Sequence, residues 1–179
     1  MNTVFPYDIV DLTHTITSTI PCWEGGCGFK HIIDFDYNDC NDETRFRIQS
    51  VNMVAGIGTH MDAPAHCFAH EITVERVNLT QLCVPCIIID VSAKMHEDYI
   101  VSVADILAFE EVHGQIASGC LVIVRTGWDT HWKDAEKYRN NLKFPHVSIE
   151  AATHLLERGI VGLGIDTLSS DSPSGGFPV

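Results

Sequence analysis

Residues Gly58-Thr59-His60-Met61-Asp62-Ala63-Pro64-Ala65-His66 place two imidazoles and a carboxylate within nine residues, beside a glycine and a proline. In an extended segment side chains alternate between faces, so His60 and Asp62 project to one side and can reach one cation. Imidazole with carboxylate suits a borderline divalent ion such as zinc, manganese or iron better than a soft one. Pro64 cannot continue a central strand, and it is predicted to turn the chain so that His66 comes back over the site. Gly58 lets backbone approach where a Cβ would not fit. Taken singly, each histidine is more simply a polar residue of a turn. The spacing of the whole set points to a site.

The elements around the motif must hold it open. Arg45 to Val54 alternates polar with apolar residues through Phe46, Ile48 and Val51, which reads as a strand delivering the motif to a strand end, where polar groups converge on a cleft. Ile9 to Leu12 reads as an edge or early strand. Pro21 to Gly28 reads as a loop, with Trp23 on it as a candidate substrate wall. Pro85 to Val91 is a nearly unbroken apolar run, as for a strand covered on both faces. Ser102 caps a predicted helix over Val103–His113 that Gly114 stops, and Ser148 caps a second that runs to Gly159. Leu121 to Val124 and Ile160 to Ile165 complete the strands. Strands alternating with helices predict an α/β fold with some parallel pairing, and the strand-rich first third predicts a mixed sheet.

Composition narrows the function. A chain of 179 residues with 45% hydrophobic content suits one domain with its own core. The formal charge of −13 argues against nucleic acid, whose phosphates need a basic face. The acidic run Asp34, Asp36, Asp39, Asp42, Glu43 lacks the order of a calcium loop and reads as solvated loop. No apolar run approaches a membrane span, and the N-terminus lacks the pattern of a signal peptide, so the expected location is cytoplasmic. Seven cysteines then read as reduced thiols, with Cys83 and Cys86 as small, mostly buried side chains entering a strand.

The motif resembles the signature H-x-G-T-H-x-D-x-P-x-H of the cyclase family of metal-dependent hydrolases, the group that includes kynurenine formamidase and isatin hydrolase. Further landmarks follow in the family's order: Asp11-Leu12-Thr13-His14, Ile89-Asp90-Val91-Ser92, Val124-Arg125-Thr126-Gly127-Trp128-Asp129, and Ser148-Ile149-Glu150-Ala151-Ala152 running on to Gly164-Ile165-Asp166-Thr167. The resemblance implies a mixed-sheet swivelling β/β/α fold and metal-assisted hydrolysis of a small amide or cyclic amide, such as the aryl formamide N-formylkynurenine. It implies His60 and Asp62 as ligands of one divalent ion, zinc or manganese, with His66 as the proton-transfer residue. Trp23, Arg125 and Trp128 are the candidate substrate contacts, Asp166 a structural acceptor, and His14 a residue near a pocket. A homodimer or higher homo-oligomer is the expected assembly.

Two positions depart from the family's pattern. Gly56 stands where the signature opens with a ligand histidine, and the sequence ends at Val179 before the family's further histidine and glutamate. These departures carry the alternative expectation of a catalytically impaired relative that keeps the fold and binds a small molecule.

Overall fold

The computed structural model describes residues 8–26, 28–176 and 179. Its first element pair is a hairpin, β1 (Phe29–Phe35) antiparallel to β2 (Ile48–Met53), with Phe29 opposite Met53 and Phe35 opposite Ile48. The strand expected before the motif is therefore present, but its partner was not foreseen. Asp34 lies inside β1 and accepts a hydrogen bond from Ser50 across the hairpin. Asp36 begins the turn, capping residues 37–39 and binding the Arg47 guanidinium through two nitrogens at 2.8 and 3.1 Å. The acidic run is thus divided between a strand and an organised turn, not one solvated loop. Ile9 to Leu12, expected as a strand, forms no regular element and is exposed, because no described strand pairs with its backbone.

Beyond the motif, β3 (Cys86–Asp90), β5 (Leu121–Arg125) and β7 (Gly162–Ile165) form a parallel sheet in that spatial order, with β5 central. Helix α1 (Val103–His113) lies between β3 and β5 in sequence, and α3 (Ile149–Glu157) between β5 and β7. Both crossovers step in one direction across the sheet, so the right-handed rule places both helices on the same face. There Ile89, Val122 and Val124 pack with Ile106, Ala151 and Leu155 into the main core. The opposite face of β3 carries Cys86, Ile88 and Asp90, and Ile88 is 51% exposed. The expectation of a strand covered on both faces fails for this reason, and so does the expected burial of Cys86 and Cys83, both of which are exposed.

Local sequence explains the helix limits. Ser102 and Asp105 form a reciprocal capping box at the start of α1, and the Ser148 hydroxyl accepts the Ala151 N–H to start α3. A short parallel pair, β4 (Ile100–Val101) with β6 (His146–Val147), ties these helix starts together. After β5 the chain passes through Trp128 into α2 (Ala135–Arg139). Trp128, Tyr138 and Phe144 make a second, aromatic core against which Trp23 and Trp132 pack. Among the described residues no helix is long and apolar enough to cross a membrane.

Candidate functional site

The motif begins where β2 ends. Ile57 is buried, and Gly58 follows with φ +68°, a conformation that L side chains rarely adopt. A Cβ on Gly58 would stand 2.9 Å from the Ile20 Cδ1 methyl and 3.5 Å from Ile16 Cγ1. The N-terminal segment therefore packs directly on the motif turn. It is also pinned there, because the His14 N–H donates to the Thr59 hydroxyl at 3.1 Å. His14 in turn stacks on Trp132 at 3.9 Å between ring centroids. The motif is thereby connected to the aromatic core after β5. Sequence reasoning passed over both Thr59 and Trp132, although Trp132 lies one helical turn after Trp128.

His60 is oriented by its own backbone. Its Nδ1 lies 2.8 Å from the Gly58 carbonyl oxygen, an acceptor, so Nδ1 carries the proton and Nε2 presents a lone pair. That lone pair faces the Asp62 carboxylate, with Nε2 to Oδ2 at 3.6 Å. Two ligand atoms each about 2.1 Å from a tetrahedral ion lie roughly 3.4 Å apart, so this spacing suits one shared cation. Pro64 opens a single helical turn over Pro64–His66, which brings His66 back toward Asp62, Nδ1 to Oδ1 at 3.8 Å. The three side chains are 30%, 49% and 64% exposed for His60, Asp62 and His66. Chemically the set offers two convergent acceptors and an adjacent imidazole able to take or give a proton.

The donor set fits a divalent ion in kind and spacing but is short in number. Among the described residues no group of three or more His, Cys, Asp or Glu side chains is assembled for a metal. The position of Gly56 accounts for part of this, since a Cβ there would lie 3.3 Å from His60 Nε2. A side chain at 56 would enter the same space that His60 and Asp62 face.

The remaining sequence candidates lie on other elements. Arg125 ends β5 and directs Nη1 to Asp90 at 2.7 Å and to Ser92 at 3.3 Å. The Ser92 bonds, followed by the Arg125 guanidinium, hold the Asp90 carboxyl at about 2, below its ordinary 3.8. Trp128 is 5% exposed and gives its indole N–H to the Tyr138 carbonyl at 2.7 Å. One edge of it borders a cleft of about 300 Å³ shared with Met95, His96 and His131. Trp23 packs edge-on against Phe144, and its carbonyl accepts from Arg139. Asp166 behaves as the structural acceptor expected of it, receiving the Thr126 N–H and hydroxyl and the Gly127 N–H at 2.7 to 2.8 Å.

Comparison with known proteins places this architecture. An isatin hydrolase from Roseibium aggregatum is 29% identical over 129 residues, which are 66% of this chain and 49% of that protein. The chain thus spans about half the length of the curated relative it matches. The structure of isatin hydrolase A from Ralstonia solanacearum superposes with a TM-score of 0.81 at 28% identity, covering 95% of this chain and 71% of that one. Isatin hydrolase A from Labrenzia aggregata, bound to benzyl benzoate, gives 0.77 at 26% identity over 94% of this chain and 71% of that one. A family model described as "Putative cyclase" matches residues 10–172, nearly the whole sequence, and the chain belongs to that cyclase family.

Proposed function

We propose that this protein is a metal-dependent hydrolase of a small aryl amide. The substrate is cyclic, as the name of the isatin hydrolases implies for those relatives, or open, as in N-formylkynurenine. The observation that supports this most is the pair of acceptors, His60 Nε2 and Asp62 Oδ2, facing each other at 3.6 Å with the imidazole tautomer set by Gly58. Two acceptors in that relation repel unless a proton or a cation lies between them. His60 and Asp62 would hold a divalent ion, zinc or manganese, which when bound supplies Lewis acidity toward the amide carbonyl. His66, beside Asp62 but more exposed than either ligand, is the residue we assign to proton transfer, accepting from the attacking water and delivering to the leaving nitrogen. Trp23, Arg125 and Trp128 are assigned to the substrate side, with the cleft beside Trp128 as the observation behind the last. A cytoplasmic location, one domain and a homo-oligomer belong to the same proposal.

A second reading has its own observation. Gly56 leaves empty the position nearest His60 Nε2, and a two-ligand site holds an ion weakly, so a catalytically impaired relative that binds a small molecule is the competing function. One experiment separates them. Metal content after dialysis against zinc or manganese, and hydrolysis of isatin and N-formylkynurenine, are measured for the native protein, His60→Ala, Gly56→His and His66→Ala. The hydrolase reading expects His60→Ala to lose both metal and turnover, Gly56→His to gain metal, and His66→Ala to lose turnover roughly 100-fold or more with metal retained. Equal metal in all four proteins refutes the ligand assignment. Parallel loss of metal and turnover in His66→Ala makes His66 a ligand instead.

A further inference from the structure

The protein exposes 12603 Å² of surface. A compact monomer of 19.8 kDa exposes roughly 8,600 Å². About 4,000 Å² is therefore uncovered beyond what a self-sufficient globule of this mass leaves, and large obligate homodimers bury roughly 2,000–5,000 Å² in total. The excess has a location. Every residue of β2 is exposed, and so are five of the seven residues of β1. A two-stranded hairpin of this kind is marginal by itself in water and needs a covering surface.

The two faces of the hairpin differ. The register puts Phe29, His31 and Ile33 with Gln49, Val51 and Met53 on one face, and Lys30, Ile32 and Asp34 with Ser50 and Asn52 on the other. The first face carries no carboxylate, ammonium or guanidinium, yet Ile33, Val51 and Met53 are 46%, 57% and 40% exposed. His31 closes its polar edge internally, Nε2 to Gln49 Oε1 at 2.7 Å. A chain of formal charge −13 repels its own copies wherever acidic surfaces meet. This face is a place where two copies can meet without bringing like charges together, and an isologous contact asks only that the patch suit itself.

We infer that the Phe29–Ile33–Val51–Met53 face of the hairpin is an interface with a second copy of this chain. The surface passes directly through Val54, itself 63% exposed, into the His60–Asp62 motif, so the partner copy lies beside the site. The inference gives a surface to the homo-oligomer of the proposed function but does not depend on the hydrolase assignment, because it is tested without metal or substrate.

The test is the molar mass of the purified protein by light scattering and sedimentation, for the native chain, Val51→Glu and the opposite-face control Asn52→Glu. The native chain and the control are expected as dimers. In Val51→Glu the new carboxylate enters an isologous interface twice, and the dissociation constant is expected to rise roughly 100-fold or more, giving monomer at micromolar concentration. Should Val51→Glu not fold by circular dichroism, the double variant Ile33→Thr, Val51→Thr keeps strand-forming side chains while removing apolar contact. It is expected to weaken the dimer in the same direction. A monomeric native protein overturns the inference and assigns the face to another occupant. Dimers that persist in folded Val51→Glu, or in the folded double variant, overturn it as well.

Discussion

Replacing Gly58 with alanine tests whether the motif turn is held by the N-terminal segment. Two costs add at this position. An L residue at φ +68° pays roughly 1–2 kcal/mol for the left-handed conformation. The new methyl would also meet Ile20 Cδ1 at 2.9 Å, and Ile20 is buried, so it has little room to retreat. Overpacking of this sort costs typically about 1–3 kcal/mol, giving a total loss of roughly 2–4 kcal/mol in unfolding free energy by urea titration. The two parts separate in a double-mutant cycle. Ile20→Val removes the offending Cδ1, so it is expected to cost about 1 kcal/mol in the native background but to restore about 1 kcal/mol in Gly58→Ala. Because the Gly58 carbonyl fixes the His60 tautomer, zinc affinity is expected to fall in Gly58→Ala and to recover only in part in the double variant. Additive effects of the two substitutions, or a loss below about 0.5 kcal/mol for Gly58→Ala, would refute the packing of Ile20 on the motif.

Two further outcomes follow from groups outside the motif. Trp128→Phe keeps most of the buried ring but leaves the Tyr138 carbonyl without its donor, and is expected to cost about 1–3 kcal/mol in urea unfolding; an unchanged midpoint would mean that the 2.7 Å bond contributes nothing net. The Arg158 guanidinium, binding Glu110 through two nitrogens, holds that carboxyl at about 2 against an ordinary 4.5, and Asp90 is likewise held at about 2. Both therefore bind fewer protons folded than unfolded, so their contribution is fully present above about pH 4.5 and is lost as pH falls toward about 2. Unfolding free energy measured across that window is expected to drop, and to drop less in Arg158→Met; identical slopes in the two proteins would remove Glu110 as the cause.

Where a structural feature depends on a few adjacent residues, it was legible in the sequence. The caps Ser102 and Ser148 are local hydrogen-bonding devices, and the predicted helix over Val103–His113 coincides with α1. The parallel strands show as apolar runs bounded by glycine and proline, and the motif shows because its donors lie within nine residues. What failed required knowing what lies opposite. β1 was hidden because Lys30, His31 and Asp34 interrupt its apolar residues, and their compatibility with a strand comes from cross-strand partners, Gln49 for His31 and Ser50 for Asp34. The run Pro85 to Val91 looks two-sided in isolation. That α1 and α3 both take the same face of the sheet is a property of strand order, which no single strand encodes.

The same distinction governs the site. Spacing along the chain brings His60 near Asp62, but the direction of the lone pair comes from the Gly58 carbonyl, and the placement of that carbonyl comes from Ile16 and Ile20, some forty residues earlier in the sequence. The Thr59 hydroxyl holds His14 on the same side, so the segment before the hairpin acts as a brace between motif and aromatic core. A donor pair aimed by packing loses little entropy when it captures an ion, since its rotamers are set beforehand. The exposed flank of that pair, with Gly56 on one side and His66 on the other, is where a further ligand or a substrate has room to enter. The hairpin face that leads into it is uncharged and uncovered. Aim of the donors therefore depends on contacts within the chain, while exclusion of water from them depends on what covers that flank.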